Sequence, residues 1–190
     1  MSHHPSKKII AFVGLPGAGK SSAVDYLTAK GLPKIYVGGL IVEGVKALGL
    51  PVNPQNERDY RERMRREHGK DYFIRECAKQ IKHLFDAGQH TVVLDGLYTW
   101  TEYKFLKHEF PGELITIAIV VPRRERHHRL AVRPVRPLTK AEATERDWAE
   151  IENLEKGGPI AIADYFLHND ISLDALHADI DALLRFLGLE

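Results

Sequence analysis

The chain has 190 residues, 44% of them hydrophobic, and a formal charge of +1. This length and composition suit one globular domain with a substantial core and exclude a disordered chain. A net charge near zero gives no global pull toward nucleic acid or a membrane surface, so neither is an expected partner and any anion binding must come from local clusters.

After a polar leader, Met1 to Ser6, the run Lys7-Lys8-Ile9-Ile10-Ala11-Phe12-Val13 reads as a buried parallel strand. Gly14 to Ser21, Gly-Leu-Pro-Gly-Ala-Gly-Lys-Ser, then matches the phosphate-binding loop in full. Its glycines permit close backbone approach to phosphate, and the exposed N–H groups form a nest for oxygen anions. Lys20 supplies a point charge for the β/γ-phosphates, and the Ser21 hydroxyl reaches Mg²⁺. Ala23, Val24 and Leu27 continue at helical spacing to Gly31, so a helix N-terminus points at the phosphates. The expected phosphate ligands here are Gly14, Pro16, Gly17, Ala18, Gly19, Lys20, Ser21 and Ser22.

A short strand is predicted through Lys34-Ile35-Tyr36-Val37, followed by Gly38-Gly39 and an amphipathic run from Leu40 to Leu48 that Pro51 and Pro54 close. A charged helix is predicted from Glu57 to His68. Its arginines are open to two readings, an ordinary surface paired at i, i+4 or a face toward an anionic acceptor. The next helix runs from about Asp71 to Phe85 and carries Cys77 among apolar residues. That is a core position, and a single cysteine rules out an intrachain disulfide. With no signal peptide or membrane-length apolar run visible, a cytoplasmic setting is expected.

Thr91 to Gly96 is the next strand, ending in Asp95 where ligands bind in open α/β sheets. Asp95 either holds Mg²⁺ or its water, orients an acceptor hydroxyl, or caps the next turn with Gly96 supplying the bend. A helix from Thr101 to Phe110 leads to the most apolar run, Leu114 to Val121, a central strand. Arg123 to Arg136 is strongly basic. Arg126, Arg129 and Arg133 fall at i, i+3 and i+7, which places three guanidiniums on one helix face. Such a face either grips a polyphosphate or is neutralised by Glu125, Glu142 and Glu145. A helix over Lys140 to Lys156, punctuation at Gly157-Gly158-Pro159, a strand near Tyr165 to Leu167 and a helix from Leu173 to Leu187 complete the chain. Strand and helix alternate, which predicts an α/β fold with a parallel sheet covered on both faces. Residues 38–68 and 123–146 read as flaps of one domain spanning residues 1–190, each too small for its own core.

The loop at Gly14–Ser21, Asp95-Gly96, Arg-x-x-Arg-Leu-x-x-Arg (Arg126 to Arg133) and Ala163-Asp164-Tyr165 with Asn169-Asp170 resemble nucleoside-monophosphate-kinase-like P-loop proteins. The likeness looks closest to the dephospho-CoA-kinase-like branch, which includes adenylate-kinase-related proteins. The resemblance implies a three-layer P-loop fold with a five-stranded parallel sheet in order 2-3-1-4-5, an acceptor flap (38–68) and an arginine-rich lid (123–146). It implies a Mg²⁺-dependent kinase moving the γ-phosphoryl of ATP to a nucleotide-like or other small acceptor. Lys20, Asp95, Arg126, Arg129 and Arg133 are then the expected catalytic groups, Ser21 and Asp95 the metal ligands, and the loop's phosphate ligands ATP contacts, joined by Arg129 and Asn169. Gly39, Arg65, Gly96 and Tyr98 are the expected acceptor contacts. Similar proteins often carry an aspartate and an arginine after the second strand and an arginine after the Asp-Gly pair. Here Gly38-Gly39 with Val42, and Leu97 to Trp100, stand instead. Tyr98 and Trp100 either stack on a ring or pack at the rim. The missing charges keep open a second reading, a nucleotide-binding regulator or partner-coupled NTPase without a small acceptor.

Overall fold

The computed structural model describes residues 6–189, so the leader apart from Ser6 lies outside the described residues. Strands β1 (Lys8–Val13), β2 (Lys34–Tyr36), β3 (Thr91–Asp95), β4 (Leu114–Val120) and β5 (Tyr165–His168) form one sheet in the order β2-β3-β1-β4-β5. Every neighbouring pair is parallel, as the alternation of strands and helices and the family resemblance both imply.

The two-residue period of the strands sorts the core into two layers. Ile9, Ala11, Val13, Val92 and Leu94 face one way, toward α4 (Tyr72–Asp86) and α5 (Trp100–Glu109). Ile10, Phe12, Val93, Ile117 and Ile119 face the other, toward α1 (Lys20–Ala29) and α9 (Leu173–Leu187). The stripe Phe73, Ile74, Cys77, Ile81 and Phe85 buries α4, and burial, with Glu102 and Glu76 nearby, pushes the Cys77 thiol up to about 12. That thiol is core filler, not a nucleophile.

The segment expected as an acceptor flap contains α2 (Val37–Ala47) and α3 (Pro54–His68), which join the main core through Ile41, Met64 and Tyr60. Two boundaries differ from the sequence reading. Helix α2 starts directly after β2 rather than at Leu40, and Pro54 opens α3 instead of only closing the helix before it. The reason for the second is a cap: Asn53 accepts from the Asn56 N–H at 2.9 Å, and proline at the first helical position loses no hydrogen bond.

The basic segment differs more. Helix α6 (Arg123–Val132) stops before Arg133, whose backbone is extended just ahead of Pro134. The three-arginine helix face is therefore reduced to Arg126 and Arg129. Helix α7 (Lys140–Glu152) opens on a capping box between Thr139 and Glu142 and ends short of the expected Lys156. Gly157-Gly158-Pro159 lies inside a short helix, α8 (Gly157–Ala161).

The Ala-Asp-Tyr motif has a structural role. Asp164 accepts from Thr116 N at 2.7 Å and Thr116 Oγ1 at 2.8 Å, and pairs with Lys107 at 3.1 Å, which staples β5 to β4. Because all strands run the same way, the ends of β1, β3 and β4 open on one rim, where the phosphate loop, Asp95 and α6 meet.

Candidate active site around the phosphate loop

Helix α1 begins with Gly19 in the left-handed region (φ 104). Among the described residues, no side chain caps it and no acid stands in its first turn. Its leading N–H groups are left for an anion, which is the chemistry a triphosphate needs. The glycines of the loop are fixed by neighbours as well as by dihedral angle. A Cβ on Gly14 would come 2.7 Å from the Ile119 carbonyl oxygen, and one on Gly17 2.7 Å from that of Arg126. A Cβ on Gly19 would come 2.2 Å from Asn169 Nδ2.

Those contacts place α6 and the end of β5 as a clamp on the loop. Arg126 is buried and directs its donors to protein: Nη1 gives to the Pro16 carbonyl at 3.0 Å, and both Nη atoms give to the Asp147 carboxylate at 2.8 Å. His127 Nε2 lies 3.0 Å from the same carboxylate. Burial works against the Asp147 charge, but the hydrogen bonds from Arg126 and His127 outweigh it and hold its carboxyl below the ordinary range. Arg129 donates to the Asn169 carbonyl at 2.6 Å, and Asn169 Nδ2 donates to the Ala18 carbonyl at 2.8 Å. Arg126, Arg129 and Asn169 thus brace the loop from outside in this structure, rather than presenting their polar ends to a phosphoryl group. Arg133, beyond the helix, gives its Nε to the Arg136 carbonyl at 2.7 Å.

Lys20 donates to the Leu15 carbonyl at 3.1 Å, and Ser21 is exposed on the first turn. Burial first, then the charge of Lys156, brings the Lys20 ammonium down to about 8, with Glu150 acting in the other direction and Arg146 and Arg126 reinforcing the fall. Lys20 therefore sits in a cationic pocket whose resident carboxylate is Glu150. Glu150 is buried, paired with the buried Lys156 and 3.6 Å from Arg146 Nε. Helix α7 turns a stripe of Ala143, Asp147 and Glu150 inward at helical spacing while Trp148 and Ile151 face out. Two of its acids, Asp147 and Glu150, are buried while its large apolar residues are exposed. Nothing in sequence periodicity favours that choice, so Asp147, Glu150, Arg146 and Lys156 are visible only once α7 packs on α6.

Asp95 ends β3 with its carboxyl pushed up, by burial first and Asp25 next, against the opposing charges of Lys34 and Lys20. Mg²⁺ takes one or two protein oxygens with water and phosphate completing the shell, and no cluster of three acidic, histidine or cysteine side chains exists among the described residues. Ser21 and Asp95 fit that modest donor set.

On the acceptor side, Tyr98 folds back over Gly96, where a Cβ would come 2.7 Å from its ring. Lys156 Nζ lies 5.2 Å from the centre of the same ring. Arg65 Nη2 donates to the buried Glu102 at 3.2 Å, and Glu102 also accepts from the N–H groups of Tyr98 (2.9 Å) and Thr99 (3.0 Å). Glu102, unmarked in the sequence, thereby joins two expected acceptor residues. The Thr-x-x-Glu capping pattern that starts at Thr99 was its only signal. Gly39 and Gly38 lie under the Tyr36 ring, with Cβ approaches of 3.1 and 2.6 Å, so their small size accommodates that ring. A cleft of about 400 Å³ opens between Arg65 and Arg66 of α3, Thr99 and Thr101 at the start of α5, and Asn153 and Glu155 after α7.

No family model matches the chain. Individual relatives do: the UPF0200 protein of Thermococcus kodakarensis is 31% identical over 179 residues, covering 93% of this chain and 96% of the relative. The chain belongs to the UPF0200 family. A second UPF0200 protein, from Pyrococcus abyssi, is 31% identical over 93% of this chain and 95% of its own length. Solved structures share the architecture of this UPF0200 chain at lower identity. A putative kinase from Chloroflexus aurantiacus superposes with a TM-score of 0.61 at 15% identity, covering 96% of this chain and 98% of that one. Shikimate kinase from Bacteroides thetaiotaomicron gives 0.57 at 14% identity over 94% and 98% of the two chains. At these identities the likeness establishes a P-loop kinase-like fold. Among the described residues, no helix is long and apolar enough to cross a membrane.

Proposed function

We propose that the chain is an ATP-dependent phosphotransferase acting on a small acceptor. The observation that carries this reading is the uncapped start of α1, whose leading N–H groups stand open beside Lys20. Phosphoryl transfer asks a protein for positioning and charge neutralisation, and this arrangement offers both. The N–H groups of the loop and Lys20 would hold the β- and γ-phosphates. Ser21 and, through water, Asp95 would hold Mg²⁺, which neutralises phosphate charge. Helix α6 and the end of β5 contribute by position: Arg126, Arg129 and Asn169 act by fixing the shape of the loop.

In the reaction, an acceptor oxygen bonds to the γ-phosphorus while the bond from that phosphorus to the β–γ bridging oxygen breaks, leaving the electron pair on ADP. An acceptor hydroxyl gives its proton to Asp95, the carboxylate at the end of β3. The acceptor, a nucleotide-like compound in the manner of dephospho-CoA or another small hydroxyl or phosphate compound, occupies the cleft beside Arg65, Gly96 and Tyr98. Supporting this, that cleft carries Arg65 and Arg66 on one wall and Thr99, the neighbour of Tyr98, on another.

The test is Mg²⁺-dependent ADP formation across a panel of nucleotides, dephospho-CoA and hydroxylated metabolites, with the phosphorylated product identified by mass. One compound should stimulate turnover, and Lys20→Ala should lower it by about two orders of magnitude or more. Undiminished turnover in that variant overturns the reading. Slow hydrolysis indifferent to every compound replaces it with a nucleotide-dependent regulator.

A further inference from the structure

Buried lysines are rare, and a buried ion pair is a weak source of stability, because desolvating both charges offsets most of their attraction. Lys156 is 4% exposed. Its ammonium pairs with Glu150 and lies 5.2 Å from the centre of the Tyr98 ring, close enough for its charge to act on Lys20. Its backbone is aimed inward by a tight turn: Lys156 N donates to the Glu150 carbonyl at 3.1 Å, and Glu155, a non-glycine residue, is held at φ 52. That left-handed conformation is strained for a residue with a Cβ and persists only where surrounding structure imposes it. Two costly features, a buried lysine and a strained turn, thus converge on one side chain.

We propose that Lys156 is a second phosphoryl-binding lysine, and that Glu150 is the anion that holds its place until a phosphoryl group arrives. The assignment rests on the phosphotransferase reading. The transferring phosphoryl group carries its charge on three equatorial oxygens, and a cation standing between donor and acceptor neutralises it where charge develops. Before nucleotide binds, that cation needs a counter-charge, and Glu150 supplies it. Glu150 does not depend on Lys156 alone: its other carboxylate oxygen already pairs at 3.6 Å with Arg146, one helical turn earlier and half exposed. Arrival of the phosphoryl group exchanges one anion for another at Lys156, while Glu150 keeps its pair with Arg146. No bond other than those of the transfer itself is made or broken.

The experiment is calorimetric binding of MgADP with and without fluoroaluminate, which mimics the transferring group, so neither the acceptor nor turnover enters. In the wild type, fluoroaluminate should tighten MgADP binding. Lys156→Met should cut that tightening, taken as the ratio of MgADP affinities with and without fluoroaluminate in the same variant, by about tenfold or more. Glu150→Gln, which removes the competitor, should increase the tightening. Because Lys156→Met strands a buried carboxylate, the double variant Lys156→Met/Glu150→Leu, which removes both charges, serves as the folded control and should show the same loss. Unchanged tightening in the double variant, or weaker tightening in Glu150→Gln, overturns the assignment of Lys156 and Glu150 while leaving the phosphotransferase reading intact. Failure of the wild type to bind MgADP at all removes the reading itself, and this inference with it.

Discussion

Arg126 donates two hydrogen bonds of 2.8 Å to the Asp147 carboxylate in a buried pair, and the same guanidinium donates to the Pro16 carbonyl of the phosphate loop. The pair therefore links α7, through α6, to the segment that would receive a nucleotide. Asp147→Ala leaves the Arg126 charge buried without its partner and should cost about 3–5 kcal/mol, read as a lower melting temperature. Replacing both residues with apolar ones should recover most of that stability but not nucleotide affinity, because the tether to Pro16 is gone. Recovery of both would show that the contact with Pro16 is incidental.

The pH dependence follows from Lys20. Burial, followed by the Lys156 charge, sets its pKa at about 8, below the ordinary 10.5. A phosphate beside it raises the value again, so nucleotide binding should take up a proton just above pH 8, and affinity should fall as pH rises through 8. Calorimetry in two buffers of different ionisation enthalpy measures that uptake directly. The sign for stability is the reverse of a lysine that gains a partner. Between about 8 and 10.5 the native state binds fewer protons than the unfolded chain, so the Lys20 contribution to stability rises with pH across that window and is unfavourable below it. Equal binding enthalpies in the two buffers would count against a depressed Lys20.

Gly17→Ala tests the clamp. The residue sits at φ 81, and its new Cβ would meet the Arg126 carbonyl oxygen at 2.7 Å, a backbone atom that can yield only if α6 moves. A loss of about 1–3 kcal/mol is expected from the strained backbone, with a larger proportional loss in ATP affinity than in melting temperature. Wild-type ATP binding by this variant would mean that α6 does not shape the loop.

Glu102→Gln separates the acceptor side from the donor side. The substitution keeps the size of the side chain, removes the charge facing Arg65, and leaves one oxygen in place of the two that take Arg65, Tyr98 N and Thr99 N. Stability should fall by about 1–3 kcal/mol. The Michaelis constant for the stimulating acceptor should rise while that for ATP stays unchanged. A shift in the ATP constant instead would move Glu102 to the donor side.

Much of this was readable from the chain alone, for a physical reason. The phosphate loop is local: strand, glycine-rich turn and helix start are contiguous, so Gly14 to Ser21 carries its own geometry wherever it is placed. The strands β1 and β4 announce themselves because a parallel strand buried on both faces must be almost wholly apolar. Asp95 is legible for the same reason, as the carboxylate that ends such a run.

What only the tertiary structure decided is which charged side chains meet. Arg126 reads in sequence as a cation either gripping a polyphosphate or paired with Glu125, Glu142 and Glu145, and packing turns it into a loop brace because Asp147 lies opposite, 21 residues away. Arg65 reads as an acceptor ligand and is found holding Glu102. Lys156 and Glu150 look like two more charges on a solvated helix, yet both are buried. Periodicity reports which residues share a face, but hydrophobic patterning names the buried face only when that face is apolar. Here the inward stripe of α7 is acidic, and its burial is fixed by partners on other elements that no local pattern contains.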